Sequence, residues 1–219
     1  RGDSLSEFWA FVWYPLILWA LDRLAERPTP RRGFVAALTY GALILTHNVS
    51  ALIFSPFALL YGLMQVLVSH RSATQNPRKR LFALITLIAP FVLGVLLTTW
   101  FWLPAIAETR YGQMGEAFTA GYFHYSRHFR SADLIQSTLC FNYSVATTVE
   151  GAGPFAMGWV QALLALLSVV RLTSRIIREK RETAHHLTLL FGLALATVMI
   201  TPLSRPLWAH LPLLEMTQF

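Results

Sequence analysis

Three side chains stand out as able to move a proton: Glu108, His47 and His128. Glu108 follows Trp102-Leu103-Pro104-Ala105, just past a long apolar run. A carboxylate just above a membrane can activate a hydroxyl or help hold a divalent metal. The plainer reading makes it a solvated charge facing Arg110. His124 and His128 are four apart, so a helix would set them on one face, a spacing that can hold a metal. No third ligand accompanies them. Arg127 and Arg130 beside them could clamp a phosphate. Equally, the segment could lie along an interface, with its aromatic groups down and its basic groups up. His47-Asn48 interrupts an apolar run. An ionisable group at membrane depth is costly and points to function; at the interface the same pair would simply turn the chain. Asp3 and Glu7 are four apart and could pair as carboxylates on one helix face. The favoured alternative is a capping box, with Ser4 as N-cap and Glu7 three residues on.

The segments that must position these groups are mostly apolar. Of the 219 residues, 55% are hydrophobic and 13% charged. A soluble domain carries about 25% charged residues, so an α-helical membrane protein is expected. Apolar runs occur at 8–21, 34–46, 51–68, 81–103, 155–170 and 187–203. Several fall short of the ~20 residues that cross a bilayer squarely. The run 81–103 is the clearest span, with a kink expected at Pro90 and Gly94. Two short runs meeting at His47-Asn48 suggest a hairpin. Pro28 and Pro30 are expected to break any helix between the first two runs, and the tail from Ser204 is expected along the surface.

One polar stretch interrupts this pattern, from Pro104 to Gly153. Loops of that length are usually functional or disordered. Its aromatics, among them Tyr111, Phe118, Tyr122, Tyr125 and Phe129, argue against disorder, because disordered tracts are poor in them. The expected architecture is therefore all-α and polytopic, with about six transmembrane helices and one long external loop between spans 4 and 5. Residues 1–103 form the first four spans, 104–153 a partly helical external loop, and 154–219 the last two spans and an external tail.

The net charge of +7 is not spread evenly. Thirteen of the eighteen Lys and Arg fall in three short loops between apolar runs, at 23–32, 71–80 and 171–181. The positive-inside rule puts those loops in the cytoplasm. His47-Asn48, the long loop and both ends of the chain then share the external face of an inner membrane. This placement argues against a nucleic-acid partner; membrane lipid is the expected one. A single cysteine, Cys140, forms no internal disulfide and fits no metal motif. There is no phosphate-binding glycine loop, serine nucleophile elbow or RNA-binding signature. The start at Arg1 without Met and the apolar end at Phe219 read as an internal stretch of a longer membrane protein.

Four pieces carry a family resemblance. They are Arg1-Gly-Asp-Ser-Leu-Ser-Glu-Phe8 leading to Tyr14-Pro15-Leu16, Leu45-Thr-His-Asn48, Phe101-Trp-Leu-Pro-Ala-Ile-Ala-Glu108 ahead of His128-Phe129, and Leu211-Pro-Leu-Leu-Glu-Met-Thr-Gln-Phe219. Together they resemble the bacterial integral membrane proteins called 6-pyruvoyl-tetrahydropterin synthase-related, a branch of the GT-C-type membrane glycosyltransferases. The family name is not an activity here: a pterin synthase is a soluble zinc enzyme with a three-histidine site, which this chain lacks. The resemblance implies sugar transfer from a polyprenyl-phosphate donor at the external face. It also implies an acidic base in a first external loop, expected upstream of Arg1. By position, Glu108, His47 and His128 would complete such a site. Arg1, Asp3, Asn48, Arg127 and Arg130 would meet substrate, with Arg1, Arg127 or Arg130 on the lipid phosphate. The resemblance fixes no cofactor, and a divalent metal is compatible with it. The competing class is a non-catalytic transporter or scaffold for lipid-linked glycans, for which inverted repeats or charged residues at mid-span would speak.

Overall fold

The computed structural model describes residues 4–69, 77–108, 111, 124–130, 134–136, 157–178, 183–211 and 214. Among these residues the chain is helical and forms no strand; a single parallel β-bridge joins Ile135 to Met157. Two helices are long and apolar enough to cross a membrane, Asn48–Leu67 and Trp159–Arg178. The number rises to four if two bent pairs each count as one span. The chain divides into two compact units, Arg1–Glu108 and Thr109–Phe219.

The first unit holds α1 (Ser4–Glu26), α2 (Pro30–Thr46), α3 (Asn48–Ser69), α4 (Pro77–Leu97) and α5 (Thr99–Glu108). The helices outrun the apolar runs at their polar ends, α1 reaching Glu26 and α4 starting at Pro77. Pro15, Pro56 and Pro90 lie inside helices as they do inside the runs, Pro104 lies inside α5, and the break expected at Pro28 and Pro30 separates α1 from α2. Pro30 opens α2 at its first position, where its missing N–H costs nothing. Thr29 caps that end, its hydroxyl accepting from Arg32 N at 3.4 Å.

α1 to α4 run alternately up and down. Trp13 Nε1 donates to Thr46 Oγ1 at 2.9 Å, and Leu24 packs against Ala36, so α1 and α2 are antiparallel. Tyr40 Oη meets Ser55 Oγ at 2.7 Å, equidistant in sequence from the 47/48 junction, so α2 and α3 form a hairpin. Phe34 shares a groove with Phe82, Tyr40 packs its ring on Phe91 at 4.9 Å, and Gly41 faces Gly94, so α2 and α4 run parallel. The crossing is close because both residues lack a side chain. A Cβ at Gly94 would sit 2.8 Å from Tyr40 Cδ1 and 2.9 Å from the Ala37 carbonyl. Small residues at crossings let helices approach where no water drives them together.

The bend expected at Pro90 or Gly94 falls instead at Thr98, where α4 and α5 meet at 64°. Side chains satisfy the carbonyls freed there. Thr98 Oγ1 lies 3.0 Å from both the Gly94 and Val95 oxygens, Thr99 Oγ1 donates to Leu96 O at 2.7 Å, and Trp102 Nε1 donates to Val95 O at 2.9 Å. A break at membrane depth persists only when its polar groups are met in this way.

The second unit holds α6 (Trp159–Arg178), α7 (Thr183–Met199), a 3₁₀ turn at Pro202–Ser204 and the short α8 (Arg205–His210). α6 and α7 pack as a pair across the four-residue connection 179–182. No residue of α6 is buried. α7 turns by 90° into the segment Pro202–His210, so the tail expected along the surface folds back at its start. Trp208 is 1% exposed and donates to Met199 O and Ser204 Oγ, each at 3.0 Å.

Candidate functional site

In the first unit, His47 and Asn48 lie at the end opposite the arginines. His47 occupies the single residue between α2 and α3. Its backbone N–H bonds back to Leu43 O, closing α2. Its Nδ1 accepts from Ser50 N at 3.2 Å and meets Ser50 Oγ at 2.7 Å, capping α3. Because a backbone N–H must donate, Nδ1 is the accepting nitrogen. Nε2 therefore carries the ring proton and faces Glu7 Oε1 at 3.9 Å. His47 thus does turn the chain, one of the two expectations for it, and it also aims its other nitrogen at a carboxylate. The Glu7 side chain is 53% exposed against 21% for His47, so the carboxylate is the half of this pair open to a substrate. Asn48 opens α3 with its Oδ1 taken up by Val49 N at 2.9 Å. Trp13 and Thr46, bonded to each other, close the wall behind.

Glu7 as a partner of His47 escaped the sequence reading. The two are forty positions apart, and only the antiparallel course of α1 and α2 brings them together. The local Ser4–Glu7 spacing pointed to a cap instead. Arg1 and Asp3 lie outside the described residues. Glu108 is the last residue of α5 and is exposed.

The opposite end of this unit is basic. Arg23 pairs with Glu26 at 3.1 Å, and Arg32 lies 3.9 Å from the same carboxylate while donating to the Arg23 carbonyl. A second polar cluster sits on this side. Asp22 of α1 accepts from Tyr61 Oη at 2.8 and 3.0 Å and from Gln65 Nε2, both on α3. Every member is bonded to another, as buried polar groups require, so the cluster latches α1 to α3.

The second unit repeats the division. Arg171, Arg175 and Arg178 mark the end of α6 next to the connection to α7. The described pieces of the long loop dock at the other end of the pair. Met157 N donates to Leu134 O at 2.8 Å, Gln136 N to Met157 O at 3.0 Å, and Arg130 N to Ile200 O at 2.8 Å. A 3₁₀ turn at Tyr125–His128 sets Tyr125 parallel to Trp208, ring centres 6.0 Å apart, with Phe129 edge-on to Tyr125. Arg205 lies over the Phe129 ring at 5.8 Å. Arg127 and His128 belong to this turn, but their side chains lie outside the described residues. His124 precedes it as cap, its Nδ1 accepting from Ser126 N at 3.3 Å. Arg130 is 4% exposed, so of the three candidate phosphate partners it is enclosed in the core of its unit.

Glu7, His47, Asn48 and Glu108 thus lie in the first unit, and Arg127, His128 and Arg130 in the second. Among the described residues no three of His, Cys, Asp and Glu gather closely enough to hold a metal ion. No protein-family model, curated protein or solved structure matches this chain.

Proposed function

We propose that the protein is a multi-pass inner-membrane protein of about six spans that transfers a sugar from a polyprenyl-phosphate donor at its external face. One observation carries this reading: in each unit the arginine-rich end is opposite the end that gathers the proton-transfer and aromatic candidates. The positive-inside rule makes the arginine ends cytoplasmic. The external ends then receive a lipid-linked sugar, and the resemblance to GT-C transferases supplies the reaction class. Transfer to a hydroxyl needs a base, and bases at such sites work from within hydrogen-bond reach. The exposed Glu7 carboxylate, backed by His47, is the described group suited to that role, with Glu108 and His128 as further candidates. Arg1 and Arg127 remain for the lipid phosphate.

The test follows labelled sugar from polyprenyl-phosphate donors in membranes carrying the protein, beside Glu7→Gln, His47→Ala, Glu108→Ala and His128→Ala. Donor-dependent transfer, reduced about 10²-fold or more by at least one variant at equal expression, is the expected result. No transfer from any donor by a folded protein would favour a transporter or scaffold for lipid-linked glycans. Sidedness is checked separately. With Cys140 replaced, a cysteine at Thr29 and one at Asn48 should be labelled from opposite sides of sealed vesicles.

A further inference from the structure

We infer that the groove between α2 and α4, at the arginine end of the first unit, holds one acyl chain of an anionic phospholipid whose phosphate rests on Arg31 and Arg78. The inference rests on the membrane-spanning reading of the chain and is independent of any glycosyl transfer. The groove encloses about 580 Å³ and is walled by Gly33 and Phe34 of α2, by Phe82, Ile85 and Ala89 of α4, and by the Pro28–Pro30 turn. Thr29 and Thr86 are its polar lining residues, and Thr86 spends its hydroxyl on Phe82 O at 2.8 Å. A space so apolar takes hydrocarbon, and its exposed rings at Phe34 and Phe82 open it outward.

The floor is left open by a residue that packing does not require. A Cβ at Gly33 would meet no atom within 4 Å, yet glycine inside a helix is less favourable than alanine by ~1 kcal/mol. The rim supplies the charge. Arg31 precedes Phe34 by three residues and Arg78 precedes Phe82 by four, so each stands on a groove-facing side of its helix, one turn further out. Both are exposed, and Arg31 makes no ion pair among the described residues. The neighbouring carboxylate, Glu26, is already engaged by Arg23 and Arg32. An apolar slot below a basic rim is complementary to an anionic amphiphile, and basic pockets between helices on the cytoplasmic side bind such headgroups.

The experiment purifies the full chain in neutral detergent. It is offered equal amounts of phosphatidylglycerol and phosphatidylcholine with identical acyl chains, and retained lipid is weighed by native mass spectrometry. Wild type should retain phosphatidylglycerol preferentially. Arg31→Ala and Arg78→Ala should each lower that preference about five-fold, the effect of one basic side chain beside an anionic headgroup. Gly33→Leu and, from the other wall, Ala89→Phe should abolish retention with helicity unchanged by circular dichroism. Equal retention of both lipids, or a preference that survives both groove-filling variants, would overturn the site. So would displacement of the lipid by millimolar inorganic phosphate, which would make this a free-phosphate site. A chain that fails to enter liposomes of any composition would instead overturn the membrane-spanning reading, and this site with it.

Discussion

The two units bury different things. In the first, helices bury one another: Ala10, Ile17, Ala37, Leu43, Ala58 and Tyr61 are almost wholly enclosed, and glycines at 41 and 94 bring α2 and α4 together. In the second, the buried hydrophobic residues are aromatic and lie at one end, where Tyr125, Phe129 and Trp208 meet, while the polar His186 and Thr188 are buried near the start of α7. Its helix α6 half-buries only one stripe, at Ala162, Ala165, Val169 and Leu172, and leaves Val160, Leu163, Leu164 and Leu167 exposed. A bundle that covers its own inner faces needs only lipid around it. A helix that turns one narrow stripe to its neighbour depends on lipid, or on another protein, for most of its burial.

The largest effect expected from this contrast is at Trp208. Trp208→Ala empties the aromatic core and should cost the second unit about 3–5 kcal/mol. In hydrogen exchange by mass spectrometry, α8 and the Tyr125–His128 turn should lose protection while α1 to α4 keep theirs. Loss of protection throughout the chain would mean that the units do not differ as described. Gly94→Ala comes next, since its methyl meets a ring carbon and a carbonyl. Overpacking of this kind costs about 1–3 kcal/mol. The drop in thermal midpoint in detergent should be rescued in part by Tyr40→Ala, which removes one of the two obstructions. Smaller again is Tyr61→Phe, which removes the hydroxyl proton shared by the two oxygens of Asp22. Such a bond within a membrane is worth about 1 kcal/mol, and most of the loss should be absent in an Asp22→Ala, Tyr61→Phe double variant measured against Asp22→Ala alone. The smallest is Leu163→Ala in α6, expected within about 0.5 kcal/mol because the side chain is more than half exposed. A larger shift, read from urea unfolding in micelles, would show that α6 has a partner.

Helical class was legible from the apolar runs, and α1 to α4 each follow one run; α5 was not, because its break at Thr98 falls inside the run 81–103. Helix ends were not legible either. The apolar runs stop where hydrophobicity stops, whereas α1 and α4 continue into polar residues at 4–7, 22–26 and 77–80. Pro15, Pro56 and Pro90 lie inside runs and helices alike, since a spanning helix keeps the remaining backbone bonded. The real break at Thr98 has no proline; its signal is a Thr-Thr-Trp-Phe-Trp run whose hydroxyls and indole can reach freed carbonyls. The reversal at His47-Asn48 was visible because two apolar runs stop there. The approach of Glu7 was not, because it follows from the pairing of two helices and no local pattern records it. The same holds for Trp208: in a proline-containing tail it read as surface, and its aromatic core partners lie some eighty residues earlier.

The one-residue junction at His47 also acts as an angular gauge. Successive helical residues are about 100° apart around the axis. Adding or removing a single residue there would rotate α3 by that much against α2. Ser55 would swing away from Tyr40, Tyr61 from Asp22, and the stacked Phe54 from Tyr14. Three separate helix contacts are therefore set by one short connection, and a single inserted residue there would disturb all three at once.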